Sequence, residues 1–245
     1  MQVSEHQEIL SDLFPSIETL TQKLPYPWIN AIEVRKIIVY GREKSGKTEL
    51  VRKLAEMFIE RYGLENCNIV SSRNADYLMK SGLDQNKLVN VLVWEDATLQ
   101  KIDRETASRF FRIRHLMTRR TGLIVALVVC HRLHGIPIEF RTEPDYILFK
   151  SLPIGYDKSV VKRFVGIKGI RYLQEIIANG DRSKTLVYDC RRDEAQTIEL
   201  PLARRNYLRT LYPRKVGLGL VGKTVFIGWL AFVGYLLFSV ISRIL

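Results

Sequence analysis

The sequence predicts an α/β fold with a mainly parallel sheet, and three stretches carry that prediction. Residues 37–40, IIVY, are a short apolar run that breaks into GREKSGKT at 41–48 and then into a helical pattern. Residues 88–96, LVNVLVWED, form a continuous apolar strand ending in two acids, and residues 123–129, LIVALVV, form another, closed by Cys130 and His131. Apolar runs of this length, without strict alternation, are what strands covered on both faces require.

The first 24 residues are acidic and amphipathic, with Ile9, Leu10, Leu13 and Phe14 at helical spacing, and no basic-then-apolar leader opens the chain. That pattern predicts a helical segment kept in the cytoplasm. A proline-interrupted aromatic linker, LPYPW at 24–28, completes a segment over 1–30. Its Tyr26 and Trp28 either stack on an adenine ring or pack the linker onto the core. A nucleotide-binding domain is expected over 31–203.

Residues 41–48 match G-x-x-x-x-G-K-[ST] at every fixed position. A triphosphate needs several backbone N–H groups aimed at one anionic centre, which is possible only where no Cβ atom blocks the approach. Gly41 and Gly46 give that access, and Arg42, Glu43, Lys44 and Ser45 form the loop between them. Lys47 brings an ammonium to the phosphates, and Thr48 offers a hydroxyl to Mg²⁺. The alternative, a Gly/Lys-rich surface turn, gives no reason for the strand in front or the helix over 48–62 behind. The expected ligands are therefore ATP and Mg²⁺, with the helix N-terminus facing the phosphates.

A short strand over 68–71, a helix over 74–80 and a turn at Ser81 and Gly82 follow. The strand 88–96 is expected beside the P-loop strand, where it delivers one carboxylate to the Mg²⁺ shell and another to the attacking water. Glu95 is assigned to the metal and Asp96 to the water. The usual order is Asp then Glu, so the two roles are open to exchange. Residues 103–120 read as an arginine-rich helix with Phe110, Ile113 and Met117 on one face. Beyond strand 123–129 come a strand at 146–149, a basic helical region over 157–178 interrupted by Gly166 and Gly169, and paired strands at 185–190 and 197–200. Pro201 closes the domain.

Residues 224–242, TVFIGWLAFVGYLLFSVIS, carry no charge and lie between Lys223 and Arg243. A membrane span needs about 20 apolar residues. Arg204, Arg205, Arg209, Arg214, Lys215 and Lys223 all precede this stretch, whereas only Arg243 follows it. The expectation is one C-terminal transmembrane helix with the ATPase domain in the cytoplasm and a basic juxtamembrane segment over 204–223. A hydrophobic helix that binds a partner is the alternative. The 38 Lys and Arg against 26 Asp and Glu give a charge of +12, which points to an anionic partner, either nucleic acid or a membrane surface. Cys67, Cys130 and Cys190 lack CxxC spacing and lie in or beside apolar runs, which argues against a zinc site or disulfide framework and predicts buried thiols.

Three pieces together, GREKSGKT, VLVWED and RRTGLIVALVVCHRLHGIPIEFRTEPDYILFKSLP, resemble the FtsK/HerA-type pumping ATPases over residues 34–155. In the third piece a basic Arg-x-x-Gly precedes a strand ending in a polar sensor, and a Pro, an Arg and an Asp follow before the next strand. That superfamily includes Zot-type phage morphogenesis proteins and viral packaging ATPases. The resemblance implies a RecA-like P-loop NTPase core in a homo-oligomer, hydrolysing ATP to drive DNA translocation or virion and secretion-complex assembly at a membrane. It makes His131 the sensor, where the family often has Gln, and Arg119 or Arg120 an arginine finger inserted into a neighbouring subunit's site. Imidazole titrates near about 6.5, so a histidine sensor responds to pH where an amide does not. Two rival classes are a nucleotide-gated membrane scaffold with little turnover, which the Glu95–Asp96 pair argues against, and a small-molecule or nucleotide kinase, which the apolar tail argues against.

Overall fold

The computed structural model describes residues 12–21, 31–97, 104–118, 121–133, 142–181 and 183–212. The elements below all fall in the first of two compact units, Met1–Leu211, the second being Tyr212–Leu245. In chain order they are α1 (Ile17–Thr21), β1 (Ala31–Tyr40), α2 (Lys47–Tyr62), β2 (Cys67–Ser72), α3 (Ala75–Ser81), β3 (Val89–Trp94) and α4 (Arg104–Phe111). A 3₁₀ turn (Ile113–Leu116) then leads to β4 (Thr121–Cys130), β5 (Tyr146–Phe149), α5 (Tyr156–Asn179), β6 (Lys184–Asp189), β7 (Glu194–Glu199) and β8 (Arg209–Thr210).

The strands make one eight-stranded sheet in the order β7-β6-β5-β1-β4-β3-β2-β8. Pairing is parallel from β5 across to β8, and only the two pairings made by β6, with β5 and with β7, are antiparallel. The mainly parallel α/β sheet expected from the sequence is thus present. Its central strands are apolar on both faces because helices cover both, and every residue of β2, β3 and β5 is buried. Strand alternation divides the core in two. Ile38, Tyr40, Ala126 and Val128 face α3, α4 and α5, whereas Ile37, Val39, Leu127 and Val129 face α2 and the N-terminal segment. Leu13 and Phe14 are buried on that second face, with the Phe14 and Phe58 ring centroids 4.5 Å apart.

Several expectations change. The acid-bearing strand β3 does not lie beside the P-loop strand: β4 sits between them, paired to β1 over ten residues and to β3 over six. The uninterrupted apolar run of β4 is what suits it to the middle of the sheet. The arginine-rich helix is shorter than 103–120, since the chain tightens into the 3₁₀ turn at Ile113. Phe110, Ile113 and Met117 are all buried as their spacing predicts. α5 is kinked at Gly166, whose φ of 64° and ψ of −169° a side chain would resist, while Gly169 stays helical.

The sheet also continues past the boundary drawn at residue 203. Buried Glu56 accepts hydrogen bonds from Lys53 Nζ at 2.8 Å and from the backbone N–H groups of Arg204 and Arg205 at 3.1 Å. These bonds, the Lys53 one foremost, hold its carboxyl below the usual range. They turn the chain back so that β8 pairs with β2. Arg204, Arg205 and Arg209, expected to be juxtamembrane, belong to this return. The fold class is corrected in one further part. No helix among the described residues is long and apolar enough to cross a membrane, so the structure does not support the C-terminal transmembrane helix in the fold class. The stretch 224–242 that suggested it lies outside the described residues.

Candidate functional site

Register brings the site together. Tyr40 is level with Cys130, Trp94 with Val128, and Ser72 with Trp94, so β1, β4, β3 and β2 end along one edge. The residues that follow these ends are Gly41, His131, Glu95 with Asp96, and Arg73. Ligands of open parallel sheets bind beyond the carboxyl ends of the strands for this reason. A cavity of 740 Å³ opens there, walled by residues 43–48 of the P-loop together with Arg73, Glu95, Asp96 and His131.

The loop is shaped as a triphosphate cradle. Lys44 (φ 60°) and Gly46 (φ 91°) are left-handed, the kind of backbone turn that makes anion-binding concavities of successive N–H groups. A Cβ on Gly41 would come within 2.4 Å of Ser45 Oγ and 3.1 Å of Lys47 Cγ, so the first glycine is required by close approach. Arg42 N–H is held by Ser151 Oγ at 2.7 Å. Ser45 Oγ is buried and has no hydrogen-bond partner among the described residues.

Lys47 is buried, and its ammonium donates to Gly41 O at 2.6 Å, Arg42 O at 2.7 Å and His131 Nδ1 at 3.2 Å. Burial lowers its pKa from the ordinary lysine value, against the pull of Asp96 and Glu43. On the other side of the imidazole, His131 Nε2 lies 3.2 Å from Asp96 Oδ1, and Asp96 Oδ2 lies 3.1 Å from Arg73 Nη2. Arg73, Asp96, His131 and Lys47 thus form one continuous polar chain across the cavity. Asp96 itself has a left-handed backbone, φ 52°. Cys130, next to His131, is fully buried and its thiol is pushed well up by that burial, which removes it as a nucleophile.

The residues present fit a Mg²⁺ ion. Thr48 is exposed and lines the cavity, and Glu95 lines the same space with no side-chain partner among the described residues. Two hard oxygen donors beside bound phosphates suit this ion, which keeps much of its own water shell. Two such donors fall short of a closed protein cage, and among the described residues no group of three or more His, Cys, Asp or Glu could make one.

The structure therefore brings together Lys47, Thr48, Glu95, Asp96 and His131. Arg119 and Arg120 lie outside the described residues. Sequence reasoning missed Arg73, Lys150 and Ser151. Arg73 directly follows an apolar strand, and its place at a strand's carboxyl end was the available signal. Lys150 and Ser151 follow β5 in the same way. They border a second cavity of 390 Å³ with Arg42–Ser45, Ile176, Ile177, Gly180 and Asp181.

No family model and no curated protein matches the sequence. Among solved structures, the chain is similar to the genome packaging NTPase B204 from Sulfolobus turreted icosahedral virus 2 in complex with sulfate, with 12% identity, a TM-score of 0.50, and coverage of 69% of this chain and 97% of that one. The same NTPase with ATP-gammaS gives 13% identity, a TM-score of 0.49 and coverage of 69% and 98%. The N-terminal domain of zonular occludens toxin from Neisseria meningitidis gives 12%, 0.39, and 70% and 96%. These are the two kinds of protein, viral packaging ATPases and Zot-type proteins, that the three sequence pieces resemble. The likeness is one of fold.

Proposed function

We propose that this chain is an ATP hydrolase whose turnover drives movement of DNA, or assembly of a virion, by an oligomer of the chain. The observation that carries the reading is the convergence of Lys47, Thr48, Glu95, Asp96 and His131 on one cavity at the carboxyl edge of the sheet. The phosphates of ATP occupy this cavity, where the loop's N–H groups, Ser45 Oγ and the Lys47 ammonium meet them. Mg²⁺ would be held here by Thr48 and Glu95, and would supply neutralisation of the phosphate charge. The nucleoside lies across the P-loop turn in the second cavity, whose wall offers Ile176 and Ile177 to the base, since Glu43, Lys44 and Ser45 border both spaces.

A polyanionic cargo is favoured by charge. The exposed side of α5 carries Lys158, Lys162, Arg163, Lys168 and Arg171, none paired with an acid among the described residues, and the whole chain stands at +12. The neighbours of similar fold include a genome packaging NTPase, which agrees with such a cargo. The test is ATP turnover of the purified chain with and without single- and double-stranded DNA. Turnover that rises on adding DNA, with the effect weakening as salt is raised, is the expected result. Turnover indifferent to both DNA forms would remove the cargo from the proposal, and absence of ATP binding would remove the hydrolase.

A further inference from the structure

We infer that His131, aligned by Asp96, is the base that takes the proton from the attacking water, and that Asp96 is a positioning residue in this step. The inference rests on the cavity being an ATP site. It begins with an ammonium that has only hydrogens to give. Lys47 Nζ is 3.2 Å from His131 Nδ1, so Nδ1 must accept, and the ring's single N–H is on Nε2, where it donates to Asp96 Oδ1 at 3.2 Å. The imidazole is therefore neutral in this arrangement, with its lone pair on the atom that faces Lys47. Asp96 is engaged at both oxygens, by His131 at Oδ1 and by Arg73 at Oδ2. A carboxylate tied at both oxygens orients its neighbour well and is badly placed to collect a proton from water.

Arrival of a triphosphate changes one partner. The Lys47 ammonium turns from Gly41 O, Arg42 O and Nδ1 to the phosphate oxygens, which withdraws the hydrogen that Nδ1 accepts from Lys47. The Asp96 contact at Nε2 keeps the tautomer and ring orientation while this happens, as an orienting carboxylate does for other histidine bases. In the reaction the water oxygen forms a bond to the γ-phosphorus and one of its hydrogens passes to Nδ1. The bond between that phosphorus and the β–γ bridging oxygen breaks, and its electron pair leaves with ADP. The products are ADP and inorganic phosphate, and the imidazolium, faced by the Asp96 carboxylate, returns its proton to solvent. The charged groups sharing the cavity with His131 are Glu43, Lys44, Lys47 and Glu49 from the P-loop and α2, and Arg73, Glu95 and Asp96 from the ends of β2 and β3. Glu95 is the competing base, since its carboxylate has no partner among the described residues.

Two measurements test the assignment. Imidazole ¹⁵N shifts of the nucleotide-free protein are expected to show His131 as the Nε2–H tautomer, and Asp96→Asn is expected to lose that preference; an Nδ1–H tautomer in the native chain would overturn the inference without any assay of activity. His131→Gln keeps a hydrogen-bonding group but no base, so ATP affinity is expected to stay within about twofold while turnover drops by roughly 10²–10⁴. The acid limb of the pH–rate profile is expected to vanish with it. Turnover of His131→Gln close to native, or an acid limb that persists in it while Glu95→Gln removes turnover, would assign the proton to another group and overturn the inference with the ATP site intact. A native protein that neither binds nor hydrolyses ATP overturns the site itself, which is a different result.

Discussion

Two cavities flank the P-loop turn, and each has a buried lysine in its wall. Lys47 and Lys150 both lie under 10% exposed, and burial lowers the pKa of both, that of Lys150 to about 8. Their partners differ. Lys150 Nζ donates to Lys184 O at 2.7 Å and to Thr185 Oγ1 at 3.3 Å, which ties the end of β5 to the start of β6. Lys47 holds two loop carbonyls and an imidazole that is itself held by Asp96. Burial sets the same electrostatic condition at both sites, and in the proposed function only the ammonium whose partners can be exchanged for phosphate oxygens acquires chemistry. The lysine locked between two strands is structural.

The largest expected effect that separates the two comes from Lys47→Ala. Removing the buried P-loop ammonium takes away charge stabilisation that preorganised groups supply at roughly 10²–10³ in rate, so ATP turnover is expected to fall by at least that factor. The fold, measured by circular dichroism, is expected to persist, because Lys47 bonds only to its own loop and to His131 among the contacts above. Native turnover in a folded variant would break the distinction between the lysines.

Lys150→Met sharpens the comparison through stability. An ammonium with a pKa of about 8 in the fold and about 10.5 in the unfolded chain leaves the unfolded state holding more protons between those values. Stability is then expected to rise as pH climbs from about 8 to 10.5, by up to about 3 kcal/mol. Denaturant midpoints across that window are expected to show the rise in the native chain and to lose it in Lys150→Met. An unchanged slope in the variant would mean that Lys150 is not the group responsible.

The smallest effect concerns the second cavity alone. Ile177→Asp places a carboxylate on the wall opposite the P-loop turn, where the base is proposed to lie. ATP affinity is expected to weaken about tenfold, the equivalent of about 1.4 kcal/mol, while inorganic triphosphate binds as before. Calorimetric titration with both ligands checks this, and an equal loss for both would place the base elsewhere.

The site was legible where chemistry is local. G-x-x-x-x-G-K-[ST] places Lys47 and Thr48 on the first turn of α2 because the loop's glycines and the helix start are set by adjacent residues, and the same locality puts Glu95 and Asp96 at the end of β3. Arg73 was not legible, because its relation to Asp96 depends on β2 pairing beside β3, a contact between strands about 20 residues apart. The double engagement of Asp96 was hidden for the same reason. In the inference above it moves the attacking water from Asp96, where the sequence reading put it, to His131, which that reading made a sensor.

By itself, then, the sequence determined which segments are buried strands, where the P-loop turns and which of its side chains come to the cavity, since apolar runs and positive-φ glycines act over a few residues. Tertiary structure decided that β4 separates β1 from β3, that residues 204–211 return to the far edge through Glu56, and that His131 stands between Lys47 and Asp96. Those outcomes depend on strand order and register, which long-range packing selects among several arrangements that the same local patterns allow.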